Sequence, residues 1–359
     1  MKKFFFLLLI FLILELTIRV TMPIYSQRYI HQTANKTRIN MFGINIFNKE
    51  LKKNNTQVNI RDSKIKDNYE NKDVVINLVG DSVSKGYGLR YQDTFFSISE
   101  SILNSMNYNL SIIPYAFSGT NLASNFEYFK EFFNNDYSSK KRLLIYQFNY
   151  NDVVPLTSSN IRWQSQNLNF LQRVIIYTGK FRYKYLNRSA LLTFIQFNLG
   201  KIKYKKNETC EKRKNFSLGP YSYAYGAIGL EKEAEVEWKK LEKKIIEVNN
   251  FANKNNQKFI VLITPTILDF KYQGNSNPYN FDLSCATINA SDKIQDILIA
   301  NNIKFIDPTI YMKDILNKYS LEKNPISPFF DLDSNHPNEV GSKLIGHHLA
   351  VNLIPYLKN

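Results

Sequence analysis

The chain has 359 residues, 44% of them hydrophobic and 22% charged, enough for a sizeable core and too apolar for a wholly disordered protein. Lys and Arg outnumber Asp and Glu by 47 to 31, a formal net charge of +16, but the lysines are scattered among Asn and Ile and no nucleic-acid-binding module accompanies them. The two cysteines, Cys210 and Cys285, stand in no metal-type spacing and exclude a cysteine-rich zinc site; they form one disulfide in an exported domain or remain two thiols, and the sequence leaves both open.

The chain starts Met1-Lys2-Lys3 and continues with an unbroken apolar run over residues 4–14. Basic residues before an apolar stretch have the pattern of an export signal. With Glu15 one helical turn before Arg19, which can snorkel, the run extends to Val20, nearly the ~20 residues that span a bilayer. No small-residue cleavage site follows, so residues 1–22 are expected to form a transmembrane signal anchor. A cleaved signal peptide and a buried helix are the alternatives. An anchor puts Lys2 and Lys3 in the cytoplasm and the rest outside. Residues 23–72, rich in Asn and Lys, read as a stalk, and residues 73–359 as the folded domain.

The first strand is expected at residues 74–79, a β-branched run stopped by Gly80. Gly80-Asp81-Ser82 follows at once. A serine on a strand-to-helix turn has an exposed hydroxyl amid backbone N–H groups and is a candidate nucleophile, although Asp and Ser are also common turn residues. A helical pattern over 94–106 leads to a second strand at 110–115, after which Gly119 permits close backbone approach and offers an N–H. A helix over 122–133 precedes the third strand, 143–148, and then Asn149-Tyr150-Asn151-Asp152, where Asn151 carries a side-chain amide donor.

About a hundred residues separate the third and fourth strands, far beyond an ordinary connection. Residues 155–230 are therefore read as an insertion mixing aromatic, aliphatic and basic residues. It is a cap over the site, an amphipathic surface lying on a membrane, or plain packing against the domain. Its basic stretch, residues 201–206 with Lys212, Arg213 and Lys214, is a solvated face or contacts an acidic glycan or anionic lipid. Beyond it come a helix at 231–253, a strand at 259–264, a helix at 291–300, a weaker strand at 303–306 and a last helix at 338–353.

Strands alternating with helices imply a five-stranded, mostly parallel sheet covered on both faces. In such sheets chemistry gathers beyond the carboxyl ends of the strands. A serine nucleophile needs a base that works near neutral pH, and there are four histidines. His31 lies in the stalk, and His347 and His348 sit among apolar residues of the last helix. His336 remains, in a polar loop where Asp333 stands three residues earlier to orient its ring. The alternative is a loop histidine beside a turn-forming aspartate.

Ser82 in Gly-Asp-Ser, Gly119, Asn151 before an Asp, and His336 in Asp-x-x-His followed by Pro-Asn-x-x-Gly together resemble the SGNH/GDSL hydrolases over residues 74–355. Val83 stands where Gly-Asp-Ser-Leu motifs carry Leu, and Asn149 replaces the Gly expected before the Asn block. The resemblance implies an α/β/α sandwich, flavodoxin-like in its sheet. It also implies a triad of Ser82, His336 and Asp333, an oxyanion hole of Ser82, Gly119 and Asn151, and no metal or organic cofactor. The expected activity is hydrolysis of an acyl ester, acetyl above all, on a carbohydrate or lipid. The alternatives are O-acyl transfer to an envelope glycan, or a silent envelope protein binding a glycan or partner. Membrane association is expected through the N-terminal helix, and nucleic acid is not an expected partner.

Overall fold

The computed structural model describes residues 2–21, 72–86, 89–116, 121–132, 141–154, 189, 191–192, 194–195, 221–270, 283–319, 328–329 and 335–358. Its centre is a five-stranded parallel sheet of β1 (Val74–Gly80), β2 (Leu110–Ala116), β3 (Lys141–Phe148), β4 (Gln257–Ile263) and β5 (Lys304–Ile306). The strand order is β2-β1-β3-β4-β5. Every residue of β1 and β2 is buried, as the continuous apolar runs demand of strands covered on both faces.

The helices are α1 (Lys2–Thr21), α2 (Phe95–Ser105), α3 (Leu122–Phe132), α4 (Glu231–Lys254), α5 (Ala290–Ala300), α6 (Thr309–Tyr319) and α7 (Glu339–Leu357). On one face α7 packs on α2, where Ser99 Oγ donates to Gly346 O at 2.7 Å, and α6 packs on α7. On the other, α3 covers β1 and β2, α4 covers β4, and α5 is tied to α4 by Lys293–Glu235 at 3.3 Å. One contiguous core results. It includes Trp238, Leu241, Ile245 and Val248, the stripe of α4 that faces the sheet.

Three helices hand over to strands through an asparagine in the left-handed region: Asn107 (φ 68°) before β2, Asn256 (φ 53°) before β4 and Asn302 (φ 53°) before β5. Asparagine tolerates this conformation better than other side chains bearing a Cβ. An Asn-rich chain thus closes helix ends where many proteins use glycine.

The expected elements are present with boundaries shifted by a few residues, but α6 was not expected. The insertion expected over residues 155–230 lies outside the described residues except at 189, 191–192, 194–195 and 221–230. Its last stretch is core rather than excursion. Tyr221, Ala224 and Ala227 are fully buried, and Trp238 Nε1 donates to Ala224 O at 3.0 Å. Cys285 is buried and disulfide-bonded; the chain's other cysteine, Cys210, lies outside the described residues, as do His31 and most of the stalk.

The residues expected to form a transmembrane signal anchor, 1–22, are helix α1 from Lys2 to Thr21. Among the described residues, no helix is long and apolar enough to cross a membrane. The polar pair at its far end has a protein-facing role. Glu15 pairs with Arg19 at 2.7 Å and accepts from Ser189 Oγ at 2.6 Å and Leu191 N–H at 2.9 Å. Ile18 is buried against Leu191 with Phe194 alongside. The side chains from Phe5 to Leu14 remain exposed.

Candidate active site

The order β2-β1-β3 means that the chain leaves β1 towards one edge and returns to β1's other side with β3. In doubly wound sheets the crevice at such a reversal is where ligands bind. The loop after β1 carries Ser82, and the loop after β3 carries Asn151.

Gly80 ends β1 where a side chain has no room: a Cβ there would collide with Ser84 Oγ and stand 2.6 Å from Gln147 Oε1. The turn folds over Gln147, a fully buried polar side chain in β3. Its Oε1 accepts from Ser84 Oγ at 3.0 Å and from the N–H groups of Ser84 and Asp81, both at 3.3 Å. Its Nε2 donates to Thr264 Oγ1 at 2.9 Å, and Thr264 Oγ1 donates to Phe148 O at 2.7 Å. The nucleophile loop is thus pinned to β3 and β4 by one amide.

His336 arrives from the far end of the chain. Phe329 and Pro337 form an isolated bridge, and Asn338 caps α7 by accepting from Val340 N–H at 2.9 Å and Gly341 N–H at 3.1 Å. The Asn338 amide also donates to Phe329 O at 2.9 Å. At Gly341 a Cβ would collide with Pro328 O. The Pro-Asn-x-x-Gly sequence is therefore a clamp joining segment 328–329 to the start of α7, with His336 one residue before it.

Ser82 Oγ and His336 Nε2 meet at 2.7 Å across 254 residues of sequence. Ser82 is only 8% exposed, and His336 is half-buried. Asp333, expected to orient the imidazole, and Gly119, expected in the oxyanion hole, both lie outside the described residues. His347 and His348 are stacked against Tyr311, with ring centroids at 6.1 and 4.9 Å. His347 is exposed and His348 half-buried, so one is a surface histidine and the other packs against Tyr311.

Asn151 is present beside the serine loop: its Nδ2 donates to Asp81 Oδ2 at 3.2 Å. Asp81 Oδ1 accepts from Val83 N–H at 2.9 Å, so Asp81 fixes both the nucleophile turn and the Asn151 amide. Burial pushes the Asp81 carboxyl up, and the Val83 N–H, the His336 charge and the Asn151 amide pull it partly back. Asn149, the departure from the expected glycine, does not compete with Asn151. It is fully buried, and its oxygen accepts from Asn151 N–H at 3.2 Å while its amide donates to Thr264 Oγ1 at 3.4 Å.

Asp152 completes a capping box under Asn151. Its Oδ2 accepts from Asn149 N–H at 3.0 Å and from Tyr146 OH at 2.7 Å. Burial, and then the neighbouring Asp81 carboxylate, push Asp152 well above the usual carboxylate range. The sequence reading missed these supports: Asp81, Gln147, Asp152 and Thr264. Gln147 carried a readable signal, as a polar residue inside an otherwise apolar strand. Thr264 carried none, because its partners lie on a neighbouring strand.

No family model matches the sequence, and no curated protein matches it. Among solved structures the chain is similar to a member of the lipolytic protein G-D-S-L family from Veillonella parvula, at 12% identity and a TM-score of 0.39, covering 79% of this chain and 98% of that one. It is similar to an acetyl xylan esterase, AlAXEase, at 12% identity and a TM-score of 0.42, covering 78% and 99%. A lipase/acylhydrolase from Enterococcus faecalis gives 12% identity and a TM-score of 0.36, covering 79% and 97%. Such distant likeness leaves the chemistry to be read from this chain's own residues.

Proposed function

We propose that the chain is a serine-dependent hydrolase of acyl esters, with Ser82 as nucleophile and His336 as its base. The observation that carries this reading is the 2.7 Å contact of Ser82 Oγ with His336 Nε2 at the reversal point of the sheet. A hydroxyl becomes a useful nucleophile when a base within hydrogen-bonding reach accepts its proton as it attacks.

In this reading His336 Nε2 takes the Ser82 proton while Oγ bonds to the ester carbonyl carbon. The oxyanion that forms is held by the Ser82 N–H, the Gly119 N–H and the second hydrogen of the Asn151 amide, the first being given to Asp81. Collapse breaks the ester C–O bond, and the imidazolium protonates the departing alcohol. Water, deprotonated by the same imidazole, releases the acid and restores Ser82. Asp333 holds the imidazole in the tautomer this needs. A short acyl group, acetyl first, on a carbohydrate or lipid is the substrate class proposed. A sugar hydroxyl in place of water makes the same site a transferase.

The bonded Cys285 supports an exported location, since disulfides persist in oxidising compartments. The exposed apolar side chains of α1 support association with a membrane, which would cover them. An alkyl fluorophosphonate probe tests the catalytic reading. The wild-type chain should label stoichiometrically, and Ser82→Ala should not. Absence of labelling in the wild type, or equal labelling of both, would overturn the assignment.

A further inference from the structure

Beyond the carboxyl ends of β4 and β5, a cavity of ≈ 500 Å³ opens between the loop after β4 and the first turns of α5 and α6. Strand β4 is two strands from β1, roughly 10 Å across the sheet at the usual spacing. The volume falls in the range of small-molecule sites. Three features define what fits it.

The first is Thr309. It lines the cavity and is 5% exposed, yet its Oγ1 has no hydrogen-bond partner among the described residues. A buried hydroxyl left unpaired is rare, because it forfeits the water it had in the unfolded chain. A ligand hydroxyl satisfies it.

The second feature is balanced charge. Asp269 and Asp292 line the cavity and repel an anion, while Lys313 and the positive ends of α5 and α6 oppose a cation. Asp269 is held in place by Tyr150 OH at 3.3 Å and by Thr266 N–H at 2.7 Å. Burial pushes its carboxyl up to about 6, so at pH 7.5 it is largely ionised and accepts a hydroxyl proton. The third feature is an apolar wall of Leu268, Leu283 and Ile288. A ligand with a hydroxyl edge and a C–H face answers all three.

We infer that this cavity binds a neutral, hydroxyl-rich ring, a mono- or disaccharide, through the Thr309 hydroxyl, the Asp269 carboxylate and the Lys313 ammonium, with its C–H face on Leu268 and Leu283. The inference does not require catalysis by Ser82. Tyr150, which donates to Asp269, is the chain neighbour of Asn151. A saccharide held here therefore lies next to the loop that reaches Ser82.

The test is saturation-transfer NMR on the full chain carrying Ser82→Ala at pH 7.5, with cellobiose, maltose, lactose and N,N′-diacetylchitobiose as probes and phosphate and choline as charged comparators. At least one disaccharide should bind saturably in the millimolar range. Thr309→Val and Leu283→Trp should each weaken it at least fivefold with melting temperature unchanged. No saturable binding by any of the four, binding indifferent to both substitutions, or tighter binding of phosphate or choline would overturn the inference. Because the nucleophile is absent from this experiment, its outcome and that of the labelling test are independent.

Discussion

Asn151 donates one amide hydrogen to Asp81, which in turn holds the Val83 N–H, and in the proposed reaction its other amide hydrogen holds the oxyanion. Removing one preorganised oxyanion donor costs about 10²- to 10³-fold in kcat, so Asn151→Ala should lose that much with KM little changed, measured on p-nitrophenyl acetate. A rise in KM with kcat unchanged would assign Asn151 to substrate binding instead. Asp152 makes a different prediction. Its folded-state pKa is raised, so the folded chain keeps a proton that the unfolded chain releases at lower pH. Its contribution to stability is therefore full below the unfolded value, ~3.9, and declines as pH rises towards the folded one. Asp152→Asn retains an acceptor for Tyr146 and Asn149 but does not titrate. Its stability relative to wild type should grow with pH over that window, as read from urea unfolding at several pH values. At this scale the sequence was legible where a residue type announces its chemistry, as Ser82 and His336 do. It was illegible where a role is conferred by a partner: Asp81 and Asp152 passed as turn residues until their acceptor oxygens were seen in use.

The elements were legible to the extent that burial imposed a pattern on them. Strands buried on both faces are mostly apolar, and β1 to β4 were read for that reason. Helix α6 was not expected although Met312, Ile315 and Leu316 stand at helical spacing and are buried or half-buried; it is short, and Ile310 at its start is 72% exposed. The helix ends offer the sharpest test of local reasoning. Residues with a Cβ pay roughly 1–2 kcal/mol to enter the left-handed region, and Asn pays less. Asn256→Ala should accordingly destabilise the fold by about 1 kcal/mol, while Asn256→Gly should lie within a few tenths of wild type. Thermal melts of the pair check this. Equal losses would mean that the Asn256 side chain matters for its contacts and not for its backbone.

For the molecule as a whole, right-handed crossovers set the face on which each helix lies once the strand order is known, but they do not set that order, and the cross-link at Cys285 was left open by spacing alone. The sequence offers Cys285 one partner, Cys210, and closing a loop of that length stabilises by about 4 kcal/mol in the chain-entropy model. A phosphine reductant should therefore lower the melting temperature of the wild-type chain and leave that of Cys285→Ser unchanged. An unchanged wild-type melt would show that the bond does not bear on folding.

The separation of 254 residues between Ser82 and His336 also has a meaning in time. A ribosome that has made the whole sheet has not yet made His336, so the nascent chain carries Ser82 without its imidazole partner through most of synthesis. The Ser82–His336 pair on which the proposed function rests forms only when the final helix docks and Gly341 seats beneath Pro328. Proteolytic loss of the chain from segment 335–338 onward would remove His336 with the helix and leave the Ser82 hydroxyl without its 2.7 Å partner.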